Sequence, residues 1–218
     1  MSFDWTDEQL EVIQKDVCAK QLVDAGPGTG KTAVTCARIA YLINDLGVEP
    51  VHIWLISFTR TAVHELRQRI GEFLNDKSMA VGIRIATIDA HAWSIQSGFK
   101  EDASLVGTYD DNIKNVIDLI KSHDGVFDYL SRVRHLFVDE AQDVIGPRCE
   151  LVLEVINALS EKSGVTVVSD EAQSIYGFAE DVDNSSTTLG MLPLAIKEYF
   201  PQFETKHLRE IHRTKDLV

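Results

Sequence analysis

The residues best equipped for chemistry lie in one short stretch, Ala25-Gly26-Pro27-Gly28-Thr29-Gly30-Lys31-Thr32. Gly26 followed four residues later by Gly30-Lys31-Thr32 is the Walker A pattern of a phosphate-binding loop. The glycines let the backbone curl until successive N–H groups point into one concavity, which suits phosphate oxygens. Lys31 would reach the β- and γ-phosphates of a nucleotide, and Thr32 would offer its hydroxyl to Mg²⁺. Without the right flanks, the same letters would be a glycine-rich turn with a chance Lys-Thr. Here apolar Leu22-Val23 precedes the loop, and an amphipathic run (Val34, Ala37, Ile39, Ala40, Leu42, Ile43) follows it. That strand–loop–helix context is what the motif requires.

Nucleotide hydrolysis also needs a carboxylate for Mg²⁺ and a group that handles the attacking water. Two acidic pairs compete, Asp139-Glu140 after His-Leu-Phe-Val and Asp170-Glu171 after Val-Thr-Val-Val-Ser. Either could be the second phosphate-site motif, and either could be an acidic loop facing water. Pattern alone does not separate them. Gln9 is similarly double-valued, because Thr6 and Gln9 fit a helix capping box.

The elements that would position these groups follow from hydrophobic periodicity. Strands are expected at about 21–25, 52–57, 83–87, 135–138, 165–168 and 203–208. Helices are expected from Thr6, after the loop to about Leu46, at about 62–74, through Ala90 to Ile95, after Gly146-Pro147, and at about 189–200. Several strands are apolar throughout, as strands of a parallel sheet buried on both faces are. Alternation of strands with helices predicts a doubly wound α/β sheet, with ligands beyond the carboxyl ends of its strands. The candidate groups all fall at such strand ends. Residues 97–131 are punctuated by Gly98, Gly107 and Gly125 and predict an irregular insertion. It carries one amphipathic helix through Ile113, Val116, Ile117 and Ile120.

With 218 residues and 44% apolar content, the chain can bury a sizeable core. Its three cysteines (Cys18, Cys36, Cys149) have no paired spacing and are expected to be reduced, as in a cytoplasmic protein. No apolar run reaches the ~18 residues of a membrane span, and the first residues do not form a signal peptide. The formal net charge of −13 argues against a broad nucleic-acid-binding surface, so any such contact must be local. A short basic strip, Arg60, His64, Arg67 and Arg69, is the one expected exception.

Asp139-Glu140-Ala141-Gln142-Asp143 resembles the DExQ-D motif of superfamily 1 DNA helicases of the UvrD/Rep/PcrA type. The remaining motifs then fall in family order. Gln9 resembles the Q-motif glutamine that reads adenine, and Ala25–Thr32 resembles motif I. Ser57-Phe58-Thr59-Arg60 resembles motif Ia, and Ala86-Thr87-Ile88-Asp89 motif Ib. Ser169 to Phe178 resembles motif III, and Leu208 to Thr214 the start of motif IV. The resemblance implies a P-loop NTPase fold, a RecA-like parallel sheet with helices on both faces. It implies that Gly26, Pro27, Gly28, Thr29, Gly30, Lys31, Thr32, Gln9, Arg38 and His212 bind ATP, and that Thr32 and Asp139 hold Mg²⁺. Glu140 becomes the base that activates water, Gln173 the γ-phosphate sensor and Arg213 the arginine on the γ-phosphate. Phe58 and Phe178 become aromatics that stack on single-stranded bases, with Thr59, Arg60 and Thr87 on phosphates. Read on its own, either phenylalanine is ordinary core packing.

The sequence departs from the family pattern at four places. His212 stands where the family has a tyrosine, Ala179 where an arginine is common, Asp89 where a histidine is frequent, and Ser169 where motif III has glycine. Residues 97–131 leave no room for the accessory subdomain of the large family helicases. The resemblance implies that 1–207 form the first RecA-like domain and that 208–218 begin a second, cut short at Val218. The implied activity is an ATP-dependent 3′–5′ helicase or translocase on single-stranded DNA, weak or inactive without that second domain. An alternative is a DNA-dependent ATPase that serves a nuclease or repair partner without separating strands. A non-enzymatic nucleotide-gated adaptor fits poorly with so complete a set of site residues. No membrane contact is expected.

Overall fold

A computed structural model describes residues 4–100, 108–170 and 191–211. Its centre is a six-stranded sheet in the order β3-β2-β4-β5-β1-β6. The strands are β1 (Lys20–Ala25), β2 (Ile53–Ser57), β3 (Arg84–Thr87), β4 (His135–Val138), β5 (Gly164–Ser169) and β6 (Glu204–Leu208). Every pairing is parallel. β2, β4 and β5 are buried at every position, so their sequences read as continuous runs rather than alternations.

Successive residues of one strand serve opposite layers. Ile53 and Leu55 of β2 and Phe137 of β4 pack with α2 (Lys31–Asn44) and α3 (Arg60–Phe73). Trp54, Ile56, Leu136 and Val138 pack on the other face, with α4 (Ile88–Phe99), α5 (Tyr109–Ser122), α6 (Asp124–Leu130), α7 (Gly146–Ala158) and α8 (Leu192–Tyr199). The period-2 geometry of a strand makes this division automatic. The short α1 (Asp7–Ile13) packs through Val12 and Ile13 on Val23, Ala25 and α2. The expected α/β sheet with helices on both faces is what the chain forms.

Two expectations need correction. The segment 97–131 is not irregular in its described part: it holds the end of α4, the expected amphipathic helix as α5, and a further helix, α6. α5 buries Ile113, Val116, Ile117 and Ile120 in the same core as α4 and α7, and α6 adds Val126 and Leu130. The glycines misled the reading; Gly98 lies inside α4 and Gly125 inside the first turn of α6. The second correction concerns the basic strip on α3. The Arg67 guanidinium folds back onto the carbonyls of Ala80, Val81 and Ile83, and so ties down the turn before β3. Among the described residues no helix is long and apolar enough to cross a membrane.

Candidate active site

The loop after β1 takes the shape its glycines allow. Gly28 and Gly30 adopt φ of 82° and 86°, the left-handed region that favours glycine. Gly30 is also the N-cap of α2, so Lys31 and Thr32 open the helix and the loop N–H groups lie at its positive end. Thr29 is buried, and its hydroxyl donates to the Gly26 carbonyl at 2.8 Å, which closes the curl.

Gln9 braces this loop from outside. Its Oε1 accepts the Thr6 N–H at 3.1 Å and Thr6 Oγ1 accepts the Gln9 N–H, completing the capping box of α1. Its Nε2 donates to the Thr29 carbonyl at 3.1 Å. A Cβ on Gly30 would come within 3.2 Å of that nitrogen, so a bare glycine lets the glutamine approach. The capping-box reading of Gln9 holds, and the same side chain also reaches the phosphate loop.

Lys31 is aimed at the sheet. Its ammonium donates to the Ala25 carbonyl at 3.1 Å and pairs with Asp170 Oδ2 at 2.7 Å. Asp170, just beyond β5, has a fully buried side chain. Asp139, just beyond β4, is also buried, and that burial, with the Glu140 charge beside it, pushes its carboxyl up to about 6. Asp139 and Asp170 thus follow adjacent strands at one edge, and the structure gives them different surroundings. Asp170 is the counter-ion of Lys31. Asp139 is a buried carboxylate whose ionised form is disfavoured and would be favoured by a nearby cation. Thr32 is half-buried at the second residue of α2.

Glu140 has φ 51° and ψ 47°, and among the described residues it is the one non-glycine with positive φ. Strain of this kind concentrates at functional sites. Gln142, in the 3₁₀ turn Ala141–Asp143, donates from Nε2 to Glu140 Oε2 at 2.7 Å. Its Oε1 accepts the backbone N–H of Asp170 at 3.0 Å.

Arg38 is not at the nucleotide face. It is completely buried, and it donates to Thr166 Oγ1 and to the carbonyls of Ile13, Lys15 and Asp16 at 3.0–3.1 Å. Burial pulls its pKa down to about 10, which still leaves it charged at neutral pH. The same Thr166 hydroxyl meets His135 Nε2 at 2.9 Å, while His135 Nδ1 lies 2.8 Å from the Val17 carbonyl. Burial and the neighbouring Arg38 charge push His135 down to about 3, so it is a neutral core residue.

Farther along the same edge, Phe58 is 49% exposed and Thr59 caps α3, with Oγ1 accepting the Ala62 N–H. Arg60 follows, exposed, at the first residue of α3. Thr87 caps α4 in the same way. Arg60 and Thr87 line one pocket with Trp93, Tyr109 and Asn112. Phe58 lines a second with Ile145, Asp89 and Arg148. Arg148 pairs with Asp89 at 2.9 Å and with Asp110 at 3.4 Å, which neutralises the acid that stands in motif Ib. Sequence reasoning passed over Trp93, Tyr109 and Arg148. An exposed aromatic inside an otherwise amphipathic helix was the available signal for the first of these. Gln173, Phe178, His212 and Arg213 lie outside the described residues.

Comparisons with known proteins bear on the family and the fold. The family described as UvrD/REP helicase N-terminal domain matches residues 5–103 and 100–184. An ATP-dependent DNA helicase PcrA of Leuconostoc citreum is 28% identical over 223 residues, covering 96% of this chain and 29% of that protein. An ATP-dependent DNA helicase Rep of Salmonella typhimurium is 26% identical over 236 residues, covering 72% of this chain and 34% of that protein. The chain therefore spans about a third of the length of these relatives. In fold it is similar to a crystal structure of Pif1 helicase from Candida albicans, with a TM-score of 0.56 at 18% identity over 98% of this chain and 41% of that one.

Proposed function

The chain belongs to the UvrD/REP helicase N-terminal domain family, and we propose that it is the ATP- and single-stranded-DNA-binding half of an ATP-dependent DNA translocase or helicase. One observation carries this reading. The Lys31 ammonium pairs with Asp170 at the head of the helix that the phosphate loop opens, and the buried Asp139 follows the adjacent strand within electrostatic reach of that lysine.

In this reading the loop 26–30 cradles the phosphates with its backbone N–H groups. Lys31 moves from Asp170 to the β- and γ-phosphates. Thr32 and Asp139 would hold Mg²⁺, which would supply charge neutralisation at the transferring phosphoryl group. Among the described residues no three His, Cys, Asp or Glu side chains cluster as a metal site. Asp139 fits such an ion because an adjacent cation would offset the cost of ionising it in a buried position. Glu140 takes the proton of the attacking water. Gln9 meets the adenine edge, and Gln173, His212 and Arg213 complete the nucleotide site.

On the DNA side, Phe58 and Phe178 stack on bases, while Arg60 and the capping hydroxyls of Thr59 and Thr87 meet phosphates. Exposure of Phe58, with two helix N-termini beside it, supports that assignment. Residues 1–207 make up the first RecA-like domain, and 208–218 lead toward a second one that closes over the nucleotide. The protein works in the cytoplasm, with DNA as its partner. A DNA-dependent ATPase that serves a nuclease or repair partner without strand separation is the second reading. The absence of an accessory subdomain's length between Thr87 and His135 favours it.

Displacement of streptavidin from biotinylated single strands, and unwinding of 3′- and 5′-tailed duplexes, test both readings in the whole protein that carries this chain. ATP-dependent displacement from one end with unwinding of 3′-tailed duplex is expected. Displacement without unwinding supports the second reading, and neither activity would defeat both.

A further inference from the structure

We propose that Gln142 is a positioning residue for ATP hydrolysis, holding the Glu140 carboxylate in place by spanning from it to the end of β5. The proposal rests on the assignment of Glu140 as the base. The geometry is specific. Gln142 is almost fully buried, and each end of its amide is used. Nε2 donates to Glu140 Oε2 at 2.7 Å, and Oε1 accepts the Asp170 N–H at 3.0 Å. A glutamine is the side chain that can do both at once, since it carries a donor and an acceptor on one planar group. A carboxylate in its place would keep only the acceptor.

The need for a brace follows from the backbone. Glu140 sits in the left-handed region, where a residue with a Cβ stays only if its surroundings hold it there. The Asp143 N–H donates to the Glu140 carbonyl at 3.0 Å and fixes the main chain. That bond leaves the glutamate side chain, which has three rotatable bonds, to be oriented separately. Gln142 supplies the orienting bond, which is charge-assisted and short.

Asp170 links the brace to the phosphate site. Its backbone N–H anchors Gln142, and its carboxylate holds Lys31 at 2.7 Å. The chain Lys31–Asp170–Gln142–Glu140 thus joins the lysine that meets phosphate to the residue that meets water. A movement of the β5 end when Lys31 exchanges Asp170 for a phosphate is passed to Glu140 through one side chain.

Two variants of the whole protein separate this role from a merely structural one. Gln142→Leu removes both hydrogen bonds. Gln142→Glu keeps an acceptor for the Asp170 N–H and loses the donor to Glu140. Steady-state ATP turnover is measured for each, with the affinity for a fluorescent ADP and the thermal midpoint as readouts independent of turnover. The expected result is a kcat lowered roughly 10–100-fold in both variants, the range found when a partner orienting a site residue is removed. KM for ATP and ADP affinity stay near wild type, while the midpoint of Gln142→Glu falls because its carboxyl is buried against that of Glu140. Full kcat in Gln142→Glu, with loss only in Gln142→Leu, would reduce Gln142 to a loop tether and overturn the proposal. So would a change confined to KM or to stability. Glu140→Gln is measured alongside. If it turns over like wild type, the base assignment falls and this role falls with it. If it is inactive while both Gln142 variants are active, the positioning role alone fails.

Discussion

Lys31 Nζ lies 2.7 Å from Asp170 Oδ2, so the lysine expected on a nucleotide's phosphates is engaged by a carboxylate of the neighbouring strand end. The Asp170 side chain is fully buried and that of Lys31 is 13% exposed. A buried ion pair adds little net stability, but removal of one partner strands the other. Lys31→Met is therefore expected to destabilise the nucleotide-free protein by about 2–3 kcal/mol, below the fully buried range because the lysine is partly solvated. Lys31→Met/Asp170→Asn should recover much of that loss. Urea unfolding of the two single variants and the double variant checks it; additive losses would show that the pair is not coupled.

Asp139 gives a dependence on pH. Burial, then the Glu140 charge, raises its carboxyl from 3.8 to about 6. Between those values the folded chain keeps a proton that the unfolded chain has lost. This group's contribution to stability is therefore complete below about pH 4, falls as pH rises toward 6, and stays lost above it. Asp139→Asn should flatten that part of the profile and stabilise the nucleotide-free protein at pH 7 by up to about 3 kcal/mol. Unfolding midpoints from pH 4 to 8 for both proteins provide the comparison. An unchanged slope would mean that Asp139 ionises freely.

Arg38 shows where sequence reasoning stopped. The family resemblance implied a nucleotide contact for Arg38, yet its donors go to three carbonyls at and just beyond the end of α1 and to Thr166. Arg38→Met should cost about 2–4 kcal/mol, because it leaves those buried carbonyls without donors. Chemical denaturation measures that loss. Full stability with lost nucleotide affinity would return Arg38 to the nucleotide site.

Phe58 is the clearest test of the DNA face. With about half its surface exposed, Phe58→Ala should change folding stability by no more than about 0.5 kcal/mol. Loss of one stacking platform should weaken single-stranded DNA binding by about 1–3 kcal/mol. Fluorescence anisotropy with a labelled oligonucleotide reads this directly. Retained affinity would make Phe58 a bystander.

The fold was legible where periodicity was strong. β2, β4 and β5 announced burial on both faces, and the phosphate loop fixed the start of α2. The sequence showed the first of the two core helices in 109–130 but not the second, Asp124–Leu130, because scattered glycines look alike whether they end an element or sit within one. Local pattern could not choose between the two strand-end acidic pairs, and only the resemblance of Asp139 to Asp143 to a helicase motif separated them; that Asp170 is the carboxylate engaged by Lys31 is a matter of strand order. Arg67 and Arg38 misled for a shared reason: a guanidinium that satisfies backbone carbonyls is indistinguishable in sequence from one that awaits a phosphate.

ATP turnover by the whole protein, with and without single-stranded DNA and beside Glu140→Gln, tests the central claim most directly. Strong stimulation by DNA is expected, with loss of at least about 100-fold in the variant, as befits removal of the group that handles the attacking water. Turnover indifferent to DNA, or undiminished in Glu140→Gln, would contradict the account.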